Sequence, residues 1–242
     1  MENPSGISPL LLLGDHAGRR IPVALGDLGL SAADLGRHIA CDIGVDGVGR
    51  DLARRLDATF IHQRYSRLVI DCNRALDDES SIAVRSDGTD VPGNSGLSAE
   101  HRARRAREIY RPYHSRIAEE IDRRASGARR TIVVSVHSFT PVFGGHRRPW
   151  KYGVLHGGDS AFSSTVLAIL SARWGRDVGE NEPYALCATD FTVPHHAQAR
   201  GLDYLELEIR QDMIGDRRGQ LDVAQHLAGV LTAASKQLGQ GW

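Results

Sequence analysis

Cysteine is scarce in this chain: Cys41, Cys72 and Cys187 are odd in number, widely spaced and without a CxxC pair. That pattern excludes a disulfide framework and a cysteine-built zinc site. An excess of either charge is also missing, since thirty basic residues face thirty acidic ones and the formal net charge is zero. No global field draws the chain to nucleic acid or anionic lipid, and a small-molecule partner fits better. Long hydrophobic runs are lacking too. Leu10 to Leu13 is brief, follows no basic segment and stops at Gly14-Asp15-His16. Neither a signal peptide nor a membrane span is expected, and a reducing cytoplasm is the expected setting.

What is present is ordinary for a globular protein. The 242 residues are 41% hydrophobic and 25% charged, enough to bury one core, and a single domain over 1–242 is expected. Apolar runs of strand length lie at Ser8 to Leu13, Thr59 to His62, Leu68 to Asp71, Thr131 to Val136, Trp150 to His156 and Tyr204 to Ile209. Helical spacing follows Ser31 through Leu56 with a break near Gly44, runs from Ser98 to Arg124 with Ile109, Tyr113, Ile117 and Ile121 on one face, and recurs at Phe162 to Trp174 and Asp222 to Leu238. Strands alternating with helices predict an α/β sandwich with a mainly parallel sheet. The stretch Leu76 to Gly96, rich in Asp, Ser and Gly, reads as a long functional or mobile loop and not as a domain linker, and its Gly88, Gly93 and Gly96 permit motion.

Chemistry-bearing residues gather at strand ends. His16 follows one expected strand and His137 ends another, so two imidazoles could converge where open α/β sheets bind ligands. In IDCNR, Asn73 and Arg74 lie beyond a strand; a planar guanidinium with an amide beside it suits a carboxylate, or else Arg74 pairs with Asp71, Asp77 or Asp78. In LELEIRQD, strand alternation puts Glu206, Glu208 and Arg210 on one face. Two carboxylates facing a core need a purpose, unless the strand is an edge with that face in water.

The segments LLLGDHAGRRIP, YSRLVIDCNR, VPGN, HSFTPV, RPW, NEPY, HHAQARGLDY and EIRQDMI, in that order over roughly residues 9 to 215, together resemble the N-formylglutamate amidohydrolase family. That family is similar to the zinc carboxypeptidases and aspartoacylases, which implies a three-layer sandwich with a mixed eight-stranded sheet between helices. The Asp-x-Asn-Arg motif of those peptidases looks like Asp71 to Arg74, implying that Asn73 and Arg74 hold the substrate α-carboxylate. Their Glu-Leu-Arg-Asp motif looks like Glu208 to Gln211 followed by Asp212, implying Glu208 as general base. Arg67 resembles the arginine that polarises the scissile carbonyl. One departure matters: the peptidase zinc motif His-x-x-Glu is here His16-Ala17-Gly18-Arg19, and arginine cannot ligate zinc. The third ligand beside His16 and His137 is then expected to be Asp42, with Asp15 and Asp46 as rivals.

Taken together, the resemblance implies zinc-dependent hydrolysis of the N-formyl or N-acyl amide of an acidic amino acid such as N-formylglutamate, giving formate and the amino acid. Arg148, His196 and Arg200 are the candidates for a glutamate side-chain carboxylate, or they pin loops. Another divalent transition metal would fit the same ligand types. The alternatives are hydrolysis of another N-acyl amino acid or short peptide, or a carboxylate-binding protein on the same fold without catalysis.

Overall fold

A computed structural model describes residues 1–186 and 189–239, so Cys187 lies outside the described residues. The central sheet is built from β1 (Leu10–Gly14), β2 (Thr59–His62), β5 (Ile132–Phe139), β8 (Tyr152–Leu155), β9 (Val178–Glu180) and β10 (Asp203–Arg210). Their spatial order is β2-β1-β5-β10-β8-β9. All neighbours run parallel except β10 and β8. Six strands form this mixed sheet where the resemblance implied eight. The remaining short strands pair as two ribbons outside it, β3 (Arg85–Ser86) with β4 (Thr89–Asp90) and β6 (Val142–Phe143) with β7 (His146–Arg147).

Helices cover both faces, as near-continuous apolar strands such as β1 require. Beneath one face lie α2 (Val45–Leu56), α5 (Ala161–Trp174) and α7 (Arg217–Gln237), packed on Leu10, Leu12, Ile132, Val134, Val136, Leu205, Leu207 and Ile209. The other face meets α3 (Ala99–Arg105) and α4 (Arg111–Ser126), joined by a π turn at Ala106–Tyr110. Ile109, Tyr113, Ile117 and Ile121 supply its buried stripe as the spacing predicts. Ser98 caps α3 by accepting from His101 N at 3.2 Å. None of the described helices is long and apolar enough to cross a membrane.

Two expectations change in ways that shape the site. The pattern after Ser31 makes only one turn of helix, α1 (Ala32–Leu35), and helix resumes at α2 behind Gly44. Gly44 has φ 84°, and a Cβ there would sit 2.2 Å from Ile214 O, so glycine is required. The irregular stretch between the two helices carries Asp42. Leu68 to Asp71 is not a strand: Val69 N bonds Ser66 O at 2.9 Å and Asp71 N bonds Ser81 O at 2.7 Å. Turns and a loop satisfy that backbone, and burial alone does not distinguish a short apolar turn from a strand. The stretch from Leu76 to Gly96 holds two 3-10 turns and the β3–β4 ribbon. Its end is tied down by buried Asn94, which donates to Leu68 O and Ala83 O, each at 2.8 Å.

Candidate metal and hydrolytic site

The carboxyl ends of β1 and β5 deliver His16 and His137, and the break before α2 delivers Asp42, whose N–H bonds His16 O at 2.9 Å. One ligand atom from each of the three lies within 4.8 Å of the others, and all three are buried. His137 Nδ1 is 3.0 Å and His16 Nδ1 3.6 Å from Asp42 Oδ2. The rival Asp15 stands behind His137: its Oδ2 is 3.4 Å from His137 Nε2 and accepts from Ser135 Oγ at 3.2 Å. Asp46 is elsewhere, on α2, paired with Arg50 at 3.0 Å. Arg19 lines a separate hollow on the far side of Asp42, with Arg20 and Arg64.

Three observations fit this group to a divalent cation. His16 Nδ1 is buried without a hydrogen-bond partner, and such an atom is costly unless something fills the gap. Its other nitrogen is 2.6 Å from Asp71 Oδ1, and the far nitrogen of His137 faces Asp15, the carboxylate-to-imidazole arrangement that orients ligating histidines. The electrostatics point the same way. Burial would raise Asp15 and Asp42, yet His137 and His16 hold both carboxyls below their ordinary range. Burial would lower His137, yet its bonds to Asp15 and Asp42 hold it well above the ordinary value. The cluster draws positive charge, as proton or as metal.

The group opens on a cavity of about 440 Å³ walled by Arg67, Asn73, Arg74, His38, Tyr184, Asp190, Glu206 and Glu208 among others. β10 is an interior strand, so the edge-strand alternative for its two glutamates does not apply. Glu208 pairs in register with His137, Glu206 with Ser135. Burial pushes Glu208 up to about 8 and Glu206 to about 7, His137 opposing and neighbouring carboxylates adding. Each has an Oε2 without a hydrogen-bond partner.

The arginines on the wall are engaged. Arg67 grips Asp71 Oδ2 through Nη2 at 2.7 Å and lies 3.6 Å from Asp42 Oδ1. Arg74 pairs with Asp190 at 3.1 Å, not with Asp71, Asp77 or Asp78. Through the same Nη1 it donates to Asn73 O at 2.8 Å and Thr189 O at 3.3 Å. A guanidinium has five donors, and Nη2 and Nε take no part in these bonds. The amide of Asn73 holds the following loop, Oδ1 accepting from Phe191 N at 3.0 Å and Thr192 N at 2.9 Å.

The three residues expected at a side-chain carboxylate are not on the wall. Arg148 stacks between Phe143 and Tyr184, 4.6 and 4.7 Å from their rings, and donates to Tyr184 Oη at 2.9 Å. His196 is fully buried, stacked on His114 with 2.9 Å between ring nitrogens. Arg200 donates to His195 O at 2.9 Å and pins its own loop. Asp190 and His38, which do line the cavity, carry no signal in the sequence; Tyr184 does only as the last residue of NEPY, and Asp71 as the first residue of the Asp-x-Asn-Arg motif.

A model of the N-formylglutamate amidohydrolase family matches residues 8–215. An N-formylglutamate deformylase of Pseudomonas putida is 32% identical over 171 residues, 63% of this chain and 61% of that protein. A second, from Pseudomonas aeruginosa, is 29% identical over 191 residues, 70% of this chain and 69% of that one. The chain thus spans under two thirds of the first relative's length. The crystal structure of a gene product of Agrobacterium tumefaciens is 36% identical, with a TM-score of 0.95 over 98% of this chain and 94% of that one. An N-formylglutamate amidohydrolase from Ralstonia eutropha shares the fold at 18% identity, with a TM-score of 0.71 over 97% and 95% of the two chains.

Proposed function

The chain belongs to the N-formylglutamate amidohydrolase family, and on that premise we propose that it is a zinc-dependent hydrolase of the N-formyl or N-acyl amide of an amino acid. N-formylglutamate is the reference substrate, because both curated relatives are named for it. The observation that carries the reading is the buried His16–Asp42–His137 group with its unpartnered His16 Nδ1, opening on the same cavity as Glu208. His16, Asp42 and His137 would hold the metal. A divalent cation there would polarise the acyl carbonyl, acidify water and favour the ionised form of Glu208.

The chain's own residues supply the rest. Ionised Glu208 takes the proton of the attacking water through Oε2 and passes it to the departing amine nitrogen. Arg67, fixed by Asp71, faces the developing oxyanion. Arg74, through the donors not spent on Asp190, takes the α-carboxylate, while Asn73 shapes the loop from which Asp190 reaches Arg74.

The test is formate release from N-formylglutamate and other N-formyl amino acids. Activity should vanish on chelation and return with zinc. Asp42→Asn should purify with less than about half an equivalent of metal, and Glu208→Gln should lose on the order of a hundredfold or more in kcat while keeping its metal. Full activity in a chelated, metal-free protein would remove the metal reading, and near-normal turnover in Glu208→Gln the general-base assignment.

A further inference from the structure

Once Glu208 has its role, one buried acid in the cavity is unused. Glu206 is only 3% exposed, lies on the wall and has Oε2 without a hydrogen-bond partner. β10 pairs it with Ser135 on one side and Leu155 on the other, so it sits two residues deeper along the strand than Glu208. A buried carboxyl oxygen aimed into a cavity and left unmet by the protein is a polar group that a ligand can meet.

The charges around it decide what kind of ligand. Among the described residues the cationic groups on the wall away from the metal group are Arg67, Arg74 and His38, and each already faces an acid: Asp71 at 2.7 Å, Asp190 at 3.1 Å and Asp87 at 3.4 Å. Arg148, His196 and Arg200 are not among the residues that line the wall. His137 and His16, on the metal side, oppose the negative field at Glu206, and Asp190 and Asp15 add to it. Beyond the α-carboxylate taken by Arg74, this part of the cavity offers an unmet acceptor and, among the described residues, no cation without an acid already facing it, so a second carboxylate beside Glu206 would lack a partner.

We propose that this chain prefers N-acyl amino acids whose side chain ends in a hydrogen-bond donor, a primary amide or an ammonium, and that Glu206 is the residue that accepts from it. The proposal rests on the hydrolase reading above and narrows its substrate. It makes Glu206 a specificity-determining residue whose contact is present in both the bound and the reacting complex, so its effect falls on KM and not on kcat.

The experiment compares N-formylglutamate with N-formylglutamine and Nα-formyllysine on the zinc-loaded protein, by turnover and by calorimetric binding. Either donor-ended substrate should exceed N-formylglutamate by at least about tenfold in kcat/KM and in affinity; glutamine above lysine assigns the amide, lysine above glutamine the ammonium. In Glu206→Gln, which keeps the shape and removes the charge, the ratio should shift toward N-formylglutamate by about tenfold through KM. A wild-type preference for N-formylglutamate would overturn the proposal, and it would also point to a protonated Glu206 donating to a carboxylate. A ratio unchanged in Glu206→Gln would overturn it as well. Absence of turnover with every substrate would remove the hydrolase reading, and the binding ratio of the wild type would still decide for or against Glu206.

Discussion

Arg74 is where a single residue can be held to account. Its guanidinium is fixed by Asn73 O and Asp190, so the remaining donors are oriented before substrate arrives. Arg74→Ala should raise KM for N-formyl amino acids by about tenfold or more with a smaller change in kcat, read from initial rates; unchanged kinetics would remove the residue from the carboxylate site. How far such residues were legible varied with how local their signals are. His16 and His137 stand at the ends of apolar runs, and two residues at strand ends can be found from periodicity alone. Asp42 has no such signal, because its place depends on a helix that breaks at Gly44, and only the family pattern singled it out. Asp190 could not be found at all: it meets Asn73 and Arg74 from 117 and 116 positions away, and nothing local encodes that meeting.

Elements were read well where one periodicity dominates and poorly where backbone groups have other partners. β2 occupies Thr59–His62 as expected, and the charged run after Ser98 is a helix, with its π turn unforeseen. Leu68 to Asp71 has the apolar content of a strand, but Ser66 and Ser81 occupy its backbone. Of the arginines along that charged run, Arg105 and Arg124 are buried, and Arg124 carries the tie to the sheet. Fully buried, it pairs with Glu120 at 2.7 Å and donates to Ser8 O, Pro9 O and Leu10 O, tying α4 to the start of β1. Arg124→Met preserves the apolar stem but takes a shared donor from those carbonyls and the buried partner from Glu120, which should cost about 3 kcal/mol in urea denaturation. A loss below about 0.5 kcal/mol would mean that the tie is ornamental.

At the scale of the molecule, stability should depend on pH through the stacked pair His114 and His196. Burial pushes His114 down to about 4; burial, with His114 alongside, pushes His196 to about 3. Both stay neutral in the fold and bind protons near 6.5 when unfolded, so the stability they contribute is complete above 6.5 and lost as pH falls through 6.5 toward 4. Raised Glu206 and Glu208 act in the opposite sense over the same range, so the comparison needs a reference. The stability of the wild type relative to a His114→Gln, His196→Gln double variant should decline steadily between pH 6.5 and 4.5 in urea titrations, and a constant difference would exclude the pair as the cause.

The sheet divides its labour by parity. On β10, Leu205, Leu207 and Ile209 belong to the core under α2, α5 and α7 while Glu206 and Glu208 line the cavity; on β5, Val134 and Val136 join that core and alternate with Ser135 and His137, of which His137 reaches the cavity. Folding and chemistry are thus inscribed in alternate letters of the same words. A duplicated gene can drift at position 206 toward a new substrate while its neighbours at 205 and 207 hold the scaffold constant, so one inherited fold can diversify in diet without first surviving a loss of stability.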